Sequence, residues 1–290
     1  MEPDEHGARH GYADVGDVRL HYVEAAEGPL VVLLHGFPEF YYSWRHQWPA
    51  LAGAGFRVVA PDLRGYNLSD KPRPVRAYDI RLLARDVARL IRERGAERAH
   101  VVGHDWGGGV AWAFAMRYPH MLERLAILNC PHPARALRGL RTLRQLRKSW
   151  YLFFFQLPWL PEATFRANHF AGLRRAVAGV VRPGAFTPED VERYVQAAAQ
   201  PGALTAGINY YRAMFRRGPG ALRTDLRRID APVLVIWGER DRYLDARLLD
   251  GLGQWVRRLQ VERLPDASHW VQNDAPVRVN QLLLDFLGER

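Results

Sequence analysis

Apolar residues in this chain follow two alternating rhythms. Short runs rich in Val, Leu and Ile occur at residues 18–24, 30–34, 57–60, 100–103, 125–128, 233–237 and 261–264. Their length and β-branched content predict strands. Between them, helical runs are predicted at 80–93 and 109–118, and a final amphipathic helix at 277–287. The run at 30–34, Leu-Val-Val-Leu-Leu, has no polar face at all. Such a strand must be covered on both sides, so the alternation predicts an α/β fold with a mostly parallel sheet flanked by helices.

The rhythm is interrupted after residue 130. Residues 131–220 read as mostly helical, opened by Pro131-His132-Pro133 and broken by Pro158, Pro161, Pro183, Pro188 and Pro201. The expected organisation is one core, residues 12–130 plus 221–290, carrying an inserted helical cap at 131–220. There is no internal repeat or low-complexity linker, and the polar first dozen residues are expected to fray.

The candidate chemistry sits where strands end. The run at 100–103 enters Gly103-His104-Asp105-Trp106-Gly107-Gly108 and then a helical segment. This is the setting of a nucleophile elbow, in which small flanking residues permit a sharp strand-to-helix turn. The residue at its tip is Asp105, not serine. An aspartate is already an anion at neutral pH, a weak attacker of acyl carbon but able to displace oxygen or halide from an activated alkyl carbon. That excludes an ordinary esterase and implies an ester on the enzyme, which water must cleave. A bare Gly-x-Asp-x-Gly could equally be a βα turn with Asp105 capping the helix. Other segments decide between the two.

After the strand at 30–34 comes His35-Gly36-Phe37-Pro38-Glu39. A turn of this kind can offer one oxyanion-hole amide, from Phe37, and the residue after the nucleophile, Trp106, offers the second. Further along, Asp241 follows the strand at 233–237 and His269 follows the strand at 261–264. This gives the chain order nucleophile, acid, histidine: His269 would activate water and Asp241 would orient the imidazole. Glu239 and Asp245 are rivals for the acid and rank below Asp241. Asn129, at the end of an earlier strand, cannot ionise.

With these segments and the cap runs Trp150-Tyr151-Leu-Phe-Phe-Phe155-Gln-Leu-Pro158 and Asn209-Tyr210-Tyr211-Arg212, the chain resembles the epoxide hydrolases of the α/β-hydrolase fold from about residue 12 onward. The resemblance implies that two cap tyrosines protonate the epoxide oxygen and places them at Tyr151 and Tyr211. Chemistry agrees that a donor is needed. A ring-opened epoxide leaves as an alkoxide, and a phenol can protonate it. Tyr210 is the adjacent alternative to Tyr211, and only the motif register favours Tyr211. Phe37, Trp106, Phe155 and Trp270 are expected to contact a lipophilic epoxide. Haloalkane dehalogenases share the aspartate nucleophile and the following Trp, but often carry a side-chain donor where this chain has Phe37. Fluoroacetate dehalogenases carry Arg where it has Trp106. A ligand receptor on the same fold is the non-catalytic alternative, disfavoured by an intact Asp105, Asp241, His269 and tyrosine set.

Composition adds limits. A single cysteine, Cys130, allows no intramolecular disulfide, and the polar N-terminus shows no secretory h-region, so a cytoplasmic protein is expected. The most apolar stretch, 150–160, is too short and proline-broken to span a bilayer. Metal-ligand spacing is absent, and neither metal nor organic cofactor is implied. The net charge of +10 is carried by arginine, with Lys71 and Lys148 the sole lysines. Arg135, Arg138, Arg141, Arg144 and Arg147 recur every third residue, so on one helix they would wind around it as a solvated cap surface. No nucleic-acid motif accompanies them, and neither nucleic acid nor stable membrane insertion is expected.

Overall fold

The computed structural model describes residues 8–178 and 182–289. Its centre is one eight-stranded sheet. The strands in chain order are β1 (Arg9–Asp14), β2 (Arg19–Ala25), β3 (Leu30–Leu34), β4 (Arg57–Pro61), β5 (Ala99–His104), β6 (Leu122–Leu128), β7 (Ile229–Gly238) and β8 (Val256–Leu264). Their order across the sheet is β1-β2-β4-β3-β5-β6-β7-β8. From β4 to β8 every neighbour pair is parallel, and β1 and β2 join antiparallel.

Period-two alternation divides each central strand between two cores. Val32 and Leu34 of β3, with Val233 and Val235 of β7, face one side, while Val31, Leu33, Leu234 and Ile236 face the other. The first side is covered by α2 (Ile80–Glu93) and α3 (Asp105–Arg117), the second by α1 (Gln47–Gly53) and α11 (Pro276–Gly288). Here α11 presents Val279, Leu282, Leu283, Phe286 and Leu287, the i, i+3, i+4, i+7 stripe of a helix lying on a sheet. Two covered faces are the reason the central strand runs are apolar throughout.

Between β6 and β7 the chain leaves the sheet for α4 (Pro133–Gly139), α5 (Leu143–Lys148), α6 (Trp150–Phe154), α7 (Leu160–Ala178), α8 (Pro188–Ala199) and α9 (Ala203–Thr224). After β8, the short α10 (Val271–Asp274) precedes α11. Helix α7 is interrupted at Ala167–Phe170, where Asn168, His169 and Phe170 are left-handed. Helix α9 is broken at Gly218, whose φ of 71° a glycine adopts without Cβ strain.

Three expectations are corrected. Residues 1–7 of the supposedly frayed terminus lie outside the described residues, but residues 9–14 form β1, so the sheet starts before residue 12. As an edge strand with one face outward, β1 is polar enough to hide from an apolar scan. The arginine series does not lie on one helix, because the chain turns between α4 and α5. Helix α3 begins at Asp105 itself, four residues earlier than its glycine-rich start suggests.

The elbow follows from close packing. Asp105 has φ 49°, left-handed for a residue with a side chain. A Cβ on Gly107 would stand 2.1 Å from the Leu34 carbonyl oxygen, so α3 can approach β3 this closely only with glycine there. The obstacle is backbone on a central strand and cannot swing aside. Gly107→Ala should therefore cost about 2–4 kcal/mol of stability, measured by denaturant titration against the wild type. Wild-type stability in that variant would mean the elbow is looser than this packing requires.

Candidate active site

The ends of the parallel strands converge on one point. Phe37 follows β3, Asp105 follows β5, Asn129 follows β6, Asp241 follows β7 and His269 follows β8. In a parallel sheet these carboxyl ends share one edge, which is where α/β proteins build sites. His269 Nδ1 donates to Asp241 Oδ2 at 2.7 Å, and His269 Nε2 stands 3.4 Å from Asp105 Oδ2. The other oxygen of Asp105, Oδ1, accepts the Phe37 amide at 2.9 Å. The Trp106 amide lies in the first turn of α3, where an N–H has no acceptor within the helix, and the same helix end favours the Asp105 charge.

Asp241 is more deeply held than a bare diad requires. Its Oδ1 accepts the amides of Tyr243 and Leu244 at 2.7 and 2.9 Å, and its Oδ2 accepts Asn129 Nδ2 at 2.8 Å. Asn129, dismissed in sequence as unable to ionise, thus orients the acid from the neighbouring strand end. The rivals are engaged elsewhere. Glu239 pairs with the exposed Arg263, and Asp245 pairs with Arg144 and caps the turn at Arg247.

Charge decides the protonation states. Burial pushes the Asp241 carboxyl up, but the facing His269 and the bonds from His269, Asn129 and Leu244 outweigh it and hold Asp241 below the ordinary carboxylate value. For His269, burial favours the neutral ring, yet Asp241 and the hydrogen bond and charge of Asp105 prevail and push it up to about 10. Before reaction His269 is therefore an imidazolium between two carboxylates. Its folded value exceeds the ordinary 6.5, so it stabilises the fold fully below pH 6.5 and that contribution is lost as pH rises through about 10.

A second buried carboxylate supports the turn. Glu39 accepts the Gly36 amide at 2.8 Å, the Ser43 hydroxyl at 2.6 Å and His104 Nδ1 at 2.8 Å. Burial raises its carboxyl, but these partners overcome that and bring it down to about 2. His104 Nε2 in turn donates to the His269 carbonyl at 2.9 Å. One side chain thus joins the Phe37 turn, the elbow and the histidine loop. Glu39 and His104 were missed in sequence because only the fold brings positions 39, 104 and 269 together.

Above the strand ends lies a cavity of about 240 Å³, lined by Asp105, His269, Phe37, Tyr151, Phe155, Tyr211 and Trp270 among others. Tyr151, on α6, and Tyr211, on α9, meet edge to face with ring centroids 5.9 Å apart. Burial first, and then the nearby Asp105, push both phenols well above the ordinary tyrosine value, so both carry their protons. Tyr210 points away and donates to the Arg64 carbonyl at 2.7 Å. Arg212 ties α9 to the start of α7 through Glu162, and to the turn after α6 through the carbonyls of Phe155 and Leu157. Trp106 is not among the lining residues: its indole packs edge-on against Tyr211, so it contacts the cavity through that ring. Tyr243 does line it, 5.3 Å from the His269 ring and 5.6 Å from Tyr151. Its only sequence signal was its place two residues after Asp241. Among the described residues no cluster of His, Cys, Asp and Glu is placed to hold a metal ion.

A parallel sheet with a left-handed elbow, a strand-end turn whose amide meets the elbow aspartate, and an acid–histidine pair at its strand ends defines an α/β hydrolase. Residues 29–276 match the alpha/beta hydrolase fold family, and the chain belongs to it. Within that family it belongs with the epoxide hydrolases. It is 40% identical to Epoxide hydrolase 3 of Xenopus tropicalis over 98% of this chain and 79% of that protein. It is 43% identical to the AB hydrolase superfamily protein YfhM of Bacillus subtilis (strain 168) over 97% of this chain and 98% of that one. Among solved structures, a Bacillus megaterium epoxide hydrolase in complex with an inhibitor superposes with a TM-score of 0.89 at 35% identity, covering 96% of this chain and all of that one (100%).

The paired carboxylates yield a direct test. Asp105→Asn is a neutral stand-in for the esterified aspartate and removes one of the two charges that stabilise the His269 imidazolium. The His269 pKa, followed by ring NMR, should fall below the wild-type value of about 10. An unchanged titration would mean Asp105 does not act on His269.

Proposed function

We propose that this protein hydrolyses a lipophilic epoxide to a vicinal diol through an ester on Asp105, with Tyr151, Tyr211, His269 and Asp241 as the other catalytic groups. The observation that carries the reading is one cavity holding an anionic elbow aspartate at its floor and two protonated phenols in its wall. The helical insertion 131–220 is read as a cap over a core formed by the residues on either side of it. A cytoplasmic location belongs to the same reading, supported by a lone cysteine that allows no internal disulfide.

In the first step Asp105 Oδ2 attacks an epoxide carbon, and the ring carbon–oxygen bond breaks with its electrons on oxygen. The departing oxygen takes a proton from Tyr151 or Tyr211. Negative charge thereby moves from the floor of the cavity to its tyrosine wall. Loss of the Asp105 charge lowers the proton affinity of His269, whose proton restores the phenol through solvent. In the second step neutral His269 takes a proton from water, and the hydroxide attacks the ester carbonyl carbon. Charge builds on Oδ1, where the Phe37 amide already points, with the Trp106 amide as second donor. Collapse breaks the bond between the Asp105 carbonyl carbon and the alkyl oxygen. The departing alkoxide takes the proton held by His269 to leave as the diol, and the new Asp105 carboxylic acid returns its proton to His269. Esterification itself thus converts the histidine from a charge partner into a base.

The apolar lining of Phe37, Phe155, Phe165 and Trp270 supports a lipophilic substrate. A dehalogenase reading draws less support, since a departing halide needs hydrogen-bond donors but no proton, and Phe37 supplies no side-chain donor.

Two experiments test the reading. His269→Gln should still form the ester but stall before hydrolysis, so intact-mass spectrometry after mixing with an epoxide should show a stable adduct mapped to the Asp105 peptide. Full turnover by that variant with no adduct would refute the two-step scheme. Tyr151→Phe and Tyr211→Phe should each slow single-turnover alkylation by about 10²–10⁴-fold, with a nearly inactive double variant. Tyr210→Phe should leave the rate near wild type and cost only about 1 kcal/mol of stability, because its hydroxyl serves a buried carbonyl. Wild-type alkylation by both phenylalanine variants, alongside efficient haloalkane turnover, would favour the dehalogenase.

A further inference from the structure

The insertion carries an outer surface that the reaction does not use. Leu143 is 75% exposed, Trp150 62% and Trp159 72%, and Phe153, Leu157 and Phe215 are exposed as well. They form one face. Leu143 and Arg147 share a side of α5, and Trp150 follows one turn later and touches Phe154. Phe153 packs on Phe215 of α9, and the turn carrying Leu157 is tied to α9 by Arg212. Scattered surface apolar residues need no explanation, but two tryptophans, a phenylalanine pair and two leucines on neighbouring elements do.

The segment that carries most of these residues is basic. Between residues 131 and 161 the sequence holds six basic side chains and no acidic one. Arg138, Arg141, Arg144 and Arg147 are exposed. Of these, only Arg144 forms an ion pair with a described carboxylate, Asp245. Trp150 also lines the catalytic cavity, as do Phe154 and Thr164, so the cavity opens onto this face between α6 and α7.

We propose that this face docks on an anionic lipid bilayer, the tryptophans and Phe153 entering the headgroup boundary and the arginines lying on lipid phosphates. Tryptophan is suited to that boundary, with an apolar body and one N–H for the polar side. Unpaired arginines add attraction to a negative surface. Leu143 and Leu157 add apolar surface that a polynucleotide would leave in water, and no nucleic-acid motif accompanies the arginines, which favours lipid. No described helix is long and apolar enough to cross a membrane, so the attachment is peripheral and reversible. The consequence, that a lipophilic epoxide reaches the cavity from the lipid, rests on the function proposed above. The docking itself does not.

The test is sedimentation of the full chain with phosphatidylcholine vesicles, with and without phosphatidylglycerol. Binding should require phosphatidylglycerol, weaken with salt, and shift tryptophan emission to the blue. Phe153→Ser with Trp159→Ser, and separately Arg141→Glu with Arg147→Glu, should each weaken binding more than about tenfold. Both pairs should remain folded by circular dichroism and keep the wild-type rate on a water-miscible epoxide in vesicle-free buffer. Equal binding to neutral vesicles, or binding untouched by the aromatic pair, would overturn the proposal. So would equally tight binding to single-stranded DNA, or a dimer in sedimentation velocity that the same substitutions dissolve. Vesicle binding by a protein inactive on every epoxide would leave the docking standing and remove the reaction.

Discussion

Everything at the strand ends depends on holding one imidazole between two carboxylates. Asp105 approaches His269 to 3.4 Å and Asp241 approaches its other nitrogen to 2.7 Å, in a place where water contributes little screening. Two like charges so close are tolerated only because the ring between them is positive and each carboxylate has amide donors of its own. Remove the positive ring and the aspartates repel. Neutralise Asp105 by alkylation and the ring loses the charge that keeps it protonated. The fold and the reaction therefore rely on the same electrostatic balance.

That balance imposes geometry on the backbone. Asp105 must stand clear of the sheet, which its left-handed conformation at the start of α3 achieves, and α3 must press against β3, which Gly107 permits. The turn that aims the Phe37 amide at Asp105 must then be held at a fixed height. Buried Glu39 does this by taking the Gly36 amide and His104 together, and His104 carries the linkage to the histidine loop. These contacts join residues far apart in the chain, so a shift in any one loop is felt in the others.

The insertion complements this rigid base. Its inner side supplies Tyr151 and Tyr211, whose phenols are kept protonated partly by the Asp105 charge they face. Arg212 fixes α9 to the turn after α6 and to α7, which ties together the elements that carry the two tyrosines. Its outer side is aromatic and basic. A cavity between these two sides connects apolar surroundings to a charged floor, the environment in which an anion attacks carbon without first shedding a shell of water.

The sequence by itself determined the parallel core and the nature of the nucleophile. Runs such as Leu30–Leu34 are apolar on both faces because helices cover both. Asp105 between Gly103 and Gly107 reads as the tip of an elbow once the His35–Glu39 turn and the Asp241 and His269 loops are set beside it. Asp241 and His269 were legible because chain order and strand ends are local signals. Tertiary structure alone decided the rest. Edge strand β1 is too polar to register as a strand, and the arginine series, regular in sequence, is split by a turn. Asn129 became a partner of the acid, and Glu39 and His104 a brace, only when separate strand ends met. Motif register alone favours Tyr211 over Tyr210 in the sequence; the side of α9 that faces the cavity supplies the physical reason, since a helix face acquires meaning only from what packs against it. Linear sequence records what each residue can do, and three-dimensional packing fixes which other residues it does it with.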